Sequence, residues 1–179
     1  MNIFLTDPCP VKCAQALDNS RVIKMALETA QLLSVAIRLR CGYDQLNDDV
    51  YGMTHYAHPF ARWARKSMGN FLWLVDHGLA LCDEYRHRYM KTHKSQGVIE
   101  FCRDYAVRAK GGYMTLDDVV FDFNSSADKH IDDVFLAYQT TMMRKWLVLD
   151  LEPDKRGRIH PPRWSYRRKP AWYNSDLLK

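Results

Sequence analysis

No apolar run in the 179 residues approaches the ~18 that a bilayer-crossing helix needs, so a membrane-spanning segment is not expected. The stretch from Met1 to Pro10 has neither a basic region nor a long apolar core, so an export signal is not expected either. Cysteine motifs are also missing. The five cysteines (Cys9, Cys13, Cys41, Cys82 and Cys102) are odd in number and contain no C-x-x-C pair, which favours reduced thiols and a cytoplasmic location over a disulfide scaffold. Cys9 and Cys13 lie four apart but have no second pair to complete a zinc site, so they read as small buried hydrophobes and no metal is expected. The phosphate-binding GxxxxGK[ST], the dinucleotide GxGxxG, HExxH and GxSxG are all absent. Nucleotide-hydrolysing, dinucleotide-dependent, metalloprotease and serine-hydrolase chemistries lose their support, and no cofactor is expected.

What the chain does have is oily side chain: 47% of its residues are apolar and 12% aromatic, enough for a real core. Its charge is unevenly placed. Residues 154–179 carry Lys155, Arg156, Arg158, Arg163, Arg167, Arg168, Lys169 and Lys179 against Asp154 and Asp176. The tail is therefore +6 and the preceding body −1, within a total of +5. Arginine and lysine interleaved with Trp164, Tyr166, Trp172 and Tyr173 suit a polyanionic partner, because cations neutralise phosphates while flat rings stack on bases. The alternative is an arm that lays its rings on the core and leaves its charges in water.

The patterning reads as mostly helix. A helix capped by Asn19 or Ser20 runs to about Arg40 and stops at Cys41-Gly42. Pro59 opens a short helix to about Lys66, and Gly69 or Asn70 opens a long one through Tyr89. Further helices are expected over Gln96–Ala109 and Asp128 to about Val148, with one strand around Val119–Phe123. The expected fold is mainly α: a compact single-domain helical bundle, 1–153, with an extended basic C-terminal arm, 154–179.

On the first long helix, Arg21, Lys24, Glu28 and Gln31 fall within an ~80° arc at 100° per residue. Val22, Ile23, Met25, Ala26, Leu27, Leu32 and Leu33 surround that arc, which predicts a largely buried helix whose polar stripe lines a cleft. A carboxylate one turn from a cation inside a cleft is suited to acid–base or electrostatic catalysis; the plainer reading is a solvated face with a weak Lys24–Glu28 pair. His55 and His58, at a helix entrance with Arg62 and Trp63 beyond, can hydrogen-bond a phosphate, ligate a metal or cap backbone. The stripe is expected to converge with His55 or His58. Glu84, His87 and Arg88 share one face of the second long helix, most simply as its amphipathic end.

Three patches resemble the pyrimidine-dimer DNA glycosylase (phage endonuclease V-like) family. They are residues 16–33, with Leu17-Asp18-Asn19-Ser20-Arg21, Lys24, Glu28 and Gln31; residues 54–89, with His55, His58-Pro59, Trp63 and Glu84; and Lys169-Pro170-Ala171-Trp172-Tyr173. The resemblance implies a helical DNA-binding protein that cleaves the glycosidic bond of a pyrimidine nucleotide. It further implies that an N-terminal amine attacks the sugar carbon and forms an imine, assisted by a glutamate. Glu28 falls at the glutamate's position, with Arg21 and Lys24 holding phosphate or tuning it. Gln31, His55, His58, Arg163, Arg167, Arg168, Lys169, Trp172 and Tyr173 are the candidate DNA contacts. The chain departs from the family at its start: Asn2 is bulky and should retain Met1, so either the Met1 amine serves or the imine chemistry is missing. A base-modifying transferase on the same scaffold and a non-catalytic DNA-binding protein are the alternatives.

Overall fold

The computed structural model describes residues 2–41, 46, 49–108, 117–122 and 125–174, with backbone alone at 40–41 and 107–108. Six α-helices appear in the order α1 Pro10–Ala16, α2 Asn19–Cys41, α3 Pro59–Ala64, α4 Met68–Tyr89, α5 Gln96–Arg108 and α6 Val134–Leu147, followed by a 3-10 turn at Leu149–Leu151. Among the described residues there is no strand, and no helix is long and apolar enough to cross a membrane.

α2 and α4 form the central pair, with α1 and α5 packed on α4 and α3 on α2. The α2 positions that face inward are Val22, Met25, Ala26, Leu32, Leu33 and Ile37, and they meet Phe71, Leu74 and Leu81 of α4 in one apolar cluster. Burial of such side chains, about 1.5–3 kcal/mol each, holds the pair together. Gly78 permits the close approach: a Cβ there would stand 2.8 Å from the Thr29 methyl and 3.0 Å from Ile99 of α5.

Side chains set the helix ends. Asp18, rather than Asn19 or Ser20, caps α2, accepting from the Ser20 amide at 3.0 Å and the Arg21 amide at 3.3 Å. The Ser67 hydroxyl caps α4 by accepting from the Asn70 amide. Asp133 accepts from the Phe135 and Leu136 amides, so α6 starts at Val134 and not at Asp128. α1, with Pro10 in its first turn, was not expected. The expected strand is absent from residues 117–122, and Phe123 lies outside the described residues. This segment lies instead across the start of α4: Gly69 N–H donates to the Asp117 carbonyl, the Val120 amide to Asn70 Oδ1, and Trp63 Nε1 to the Val120 carbonyl. The end of α4 and neighbouring side chains thus take up part of its backbone in place of a partner strand.

Residues 152–174 carry neither helix nor strand and follow the body closely. Trp164 Nε1 donates to the Ala16 carbonyl at 2.9 Å, the Asn19 amide donates to the Arg163 carbonyl, and the Asn19 side chain exchanges hydrogen bonds with Ser165. The Trp172 ring stacks on Trp146 of α6, with centroids 5.4 Å apart and planes 15° from parallel.

Candidate active site

The third turn of α2 carries Glu28, which is 8% exposed. Its Oε2 accepts from the Asn2 backbone N–H at 2.8 Å, and its Oε1 lies 3.3 Å from Lys24 Nζ. The helix period brings Lys24 beneath Glu28, and the chain entering from Asn2 to the buried Ile3, Phe4 and Leu5 brings the amide from the other side. His58 completes the group. Its Nδ1 accepts from the Phe60 amide at 3.2 Å, which caps α3 and assigns the proton of the neutral ring to Nε2. Burial pushes the His58 pKa down and the neighbouring His55 pushes it further, while the Glu28 carboxylate opposes both. Glu28, His58 and His55 thus share one electrostatic neighbourhood. His55 is exposed on left-handed backbone, φ 52°, and its carbonyl accepts from the His58 amide.

A nearly buried carboxylate held by an amide and an ammonium, beside a neutral imidazole, can stabilise developing positive charge or move a proton.

The other candidates are dispersed. Gln31 is half-buried one turn beyond Glu28. Arg21 is committed to two carboxylates: Nη1 lies 2.7 Å from Asp18 and 2.7 Å from Asp150, and Nη2 donates to Asp150 at 3.0 Å. Burial alone would raise the Asp18 pKa, but the Arg21 charge and the hydrogen bonds from Ser20, Arg21 and Trp146 hold it below the usual carboxylate value. Arg167 grips Glu84, with Nη2 at 2.6 Å from Oε1. Arg163 and Arg168 are exposed, Lys169 lies over the Tyr173 ring, and Trp172 and Tyr173 pack around Trp146. Met1 lies outside the described residues.

Two features were not read from the sequence. Asn2 contributes through its backbone, which side-chain patterns do not announce. Ile23 and Leu27, expected to be buried, are 42% and 40% exposed, so the open face of α2 is part apolar. Among the described residues no group of three or more His, Cys, Asp or Glu side chains could hold a metal.

The fold and site define a helical protein with a carboxylate-centred site at its N-terminal end. The family model for pyrimidine dimer DNA glycosylase matches residues 1–96, just over half of the chain and all of the Glu28–His58 neighbourhood, and the chain belongs to that family. Membership supports a glycosylase-type function with DNA as the partner. No curated protein and no solved structure matches the chain.

Proposed function

We propose that the protein removes a pyrimidine base from DNA by cleaving its N-glycosidic bond, with Glu28 as the catalytic residue. The observation that carries this reading is the Asn2–Glu28 hydrogen bond, which fixes a nearly buried carboxylate at the N-terminal segment of a chain in a glycosylase family. As the bond from C1′ to the base nitrogen breaks, the electron pair leaves with the base and positive charge grows on the sugar. Glu28 stabilises that charge, water adds to C1′, and the proton lost from the water ends on the base. Lys24 holds the carboxylate, and His58 Nε2–H offers a donor to the departing base or a phosphate. Arg21 positions α2 through Asp18 and Asp150. The Asn2 nitrogen beside Glu28 is a peptide amide and cannot form an imine, so an imine route would have to use the Met1 amine.

The test is base release from duplexes carrying defined pyrimidine lesions, measured chromatographically. Glu28→Gln should lower release by about 10²-fold or more while DNA affinity holds. Full turnover by that variant would overturn the assignment. Borohydride trapping separates the two routes: a covalent protein–DNA adduct would replace hydrolysis with the imine pathway.

A further inference from the structure

We infer that the turn from His55 to His58 is a wedge for duplex DNA: the Tyr56 ring enters the base stack beside the target nucleotide and holds open the space from which that nucleotide turns out toward Glu28. This rests on the glycosylase reading for its location and goes beyond it in assigning a positioning residue. A paired and stacked nucleotide hides its glycosidic bond from a side chain such as Glu28, so the duplex must be opened before cleavage. Proteins that kink a duplex insert a side chain between base steps and hold the flanking backbone with cations. Both parts stand next to His58.

Among the described residues two Phe, Tyr or Trp side chains are exposed. Tyr166 lies edge-on to His87, whereas Tyr56, 61% exposed, meets no other ring. The backbone that carries Tyr56 is braced on both sides. His55 adopts the left-handed region, φ 52°, and its carbonyl accepts from the His58 amide at 2.8 Å, while the Tyr56 carbonyl accepts from Arg65 Nη1 at 2.8 Å. A ring fixed on a braced turn loses little freedom when it inserts, which favours insertion. His58, which closes the turn, belongs to the Glu28 neighbourhood. One turn along α3 stands Arg62, exposed and without a carboxylate partner among the described residues. Burial pushes the Arg65 pKa down and the Arg62 charge pushes it further, so the two guanidinium groups repel each other. Both line a depression of about 690 Å³ beside Trp63, and the one carboxylate that lines it among the described residues, Asp122, is paired with Lys66. Two mutually repelling guanidinium groups with no carboxylate of their own suit a backbone phosphate.

The test uses a duplex with a thymine dimer and the fluorescent base 2-aminopurine at the adjoining position, which brightens when it leaves the stack. The full chain should brighten it about threefold or more, and Tyr56→Ala should abolish that rise. The same variant should lower single-turnover glycosidic cleavage, read as alkali-labile strand breaks, by about tenfold or more. Tyr56→Phe and Tyr56→Trp should restore both signals, because stacking needs the ring and not the hydroxyl. Arg62→Gln should keep the fluorescence rise at saturating protein and flatten the log–log salt slope of duplex affinity by about 0.9. All these variants change exposed positions, and thermal melts verify that they fold. No brightening by the parent, a Tyr56→Ala variant equal to the parent in either signal, or a Tyr56→Phe variant as defective as Tyr56→Ala would overturn the inference. The fluorescence rise needs no turnover, so Glu28→Gln should retain it. Full cleavage by Glu28→Gln would remove the glycosylase assignment and leave the wedge standing, whereas a rise indifferent to Tyr56 would remove the wedge and leave Glu28 standing.

Discussion

Two glutamates, Glu28 on α2 and Glu84 on α4, are both nearly buried and both have a cation four residues away, yet they are held in opposite ways. Glu84 is clamped by two arginines. Arg88, buried beside it, donates to Oε2 from Nε and Nη2, and Arg167 from the C-terminal arm donates to both oxygens. Arg88 also donates to the Leu17 and Gln15 carbonyls, tying the α1–α2 junction into the same knot. The contacts of Glu28 include a main-chain amide and a lysine whose side chain is 70% exposed, and no arginine encloses it among the contacts described. A carboxylate enclosed by guanidinium groups is committed to the fold. One paired with a solvated ammonium is held less tightly by the fold.

The sharpest way to break this contrast is Glu84→Ala, which strands Arg88 in the interior and should cost about 3–5 kcal/mol in urea denaturation. Glu28→Gln should cost well under that by the same measurement, because Lys24 is solvent-screened and the glutamine oxygen can still accept from the Asn2 N–H. If the two substitutions destabilised equally, Glu28 would be as structural as Glu84.

A second prediction concerns a buried group on α4 that has no clamp. His77 is 1% exposed, stacks on Trp73 at 5.3 Å, and neither ring nitrogen meets a hydrogen-bond partner among the described residues. Burial pushes its pKa from 6.5 down to about 3. The unfolded chain therefore takes up this proton first as pH falls. The contribution is intact above pH 6.5 and is lost between 6.5 and about 3, by up to about 1.4 kcal/mol per pH unit. His77→Phe should flatten that part of the stability–pH curve, and an unchanged slope would show that the ring is not buried neutral.

Next in size is the arm. Trp172→Ala should lower stability by about 2 kcal/mol through loss of the Trp146 stack, read as a fall in Tm. If Tm holds while DNA affinity drops, the ring serves the ligand and not the body. The smallest expected stability effect is Lys24→Met, within about 1 kcal/mol, although base release should fall severalfold as the Glu28 carboxylate loses its cation. Equal base release by parent and variant would remove Lys24 from the site.

How far the sequence carried these regions depended on the range of the interactions involved. The mainly helical fold was legible, as were α2, α4 and α5 to within a residue or two, because long periodic runs encode them locally. The clustering of Lys24, Glu28 and Gln31 on one stretch of α2 follows from helix period alone. Arg21 looked like part of that stripe because its partner Asp150 lies 129 residues away, and no local pattern reports such a pair. The extended segment near Val119 read as a strand because β-branched and aromatic residues fit a pleated surface. The start of α4, with Gly69 clearing a path for it, gave its backbone other partners. Ile23 and Leu27 were read as core from their chemistry, whereas exposure depends on what the rest of the chain leaves uncovered.

The Trp146–Trp172 stack has an optical consequence. The five tryptophans fall into two ring clusters: Trp63 with Trp73 at 5.9 Å, and Trp146 with Trp164 and Trp172 within 5.4 Å. Indole transitions at such separations couple, so each cluster should contribute its own band to the near-ultraviolet circular dichroism. The second cluster spans α6 and the arm, and its band should vanish when the arm lifts away while the first persists. The molecule thus contains a label-free signal that distinguishes undocking of its basic arm from unfolding of its helices.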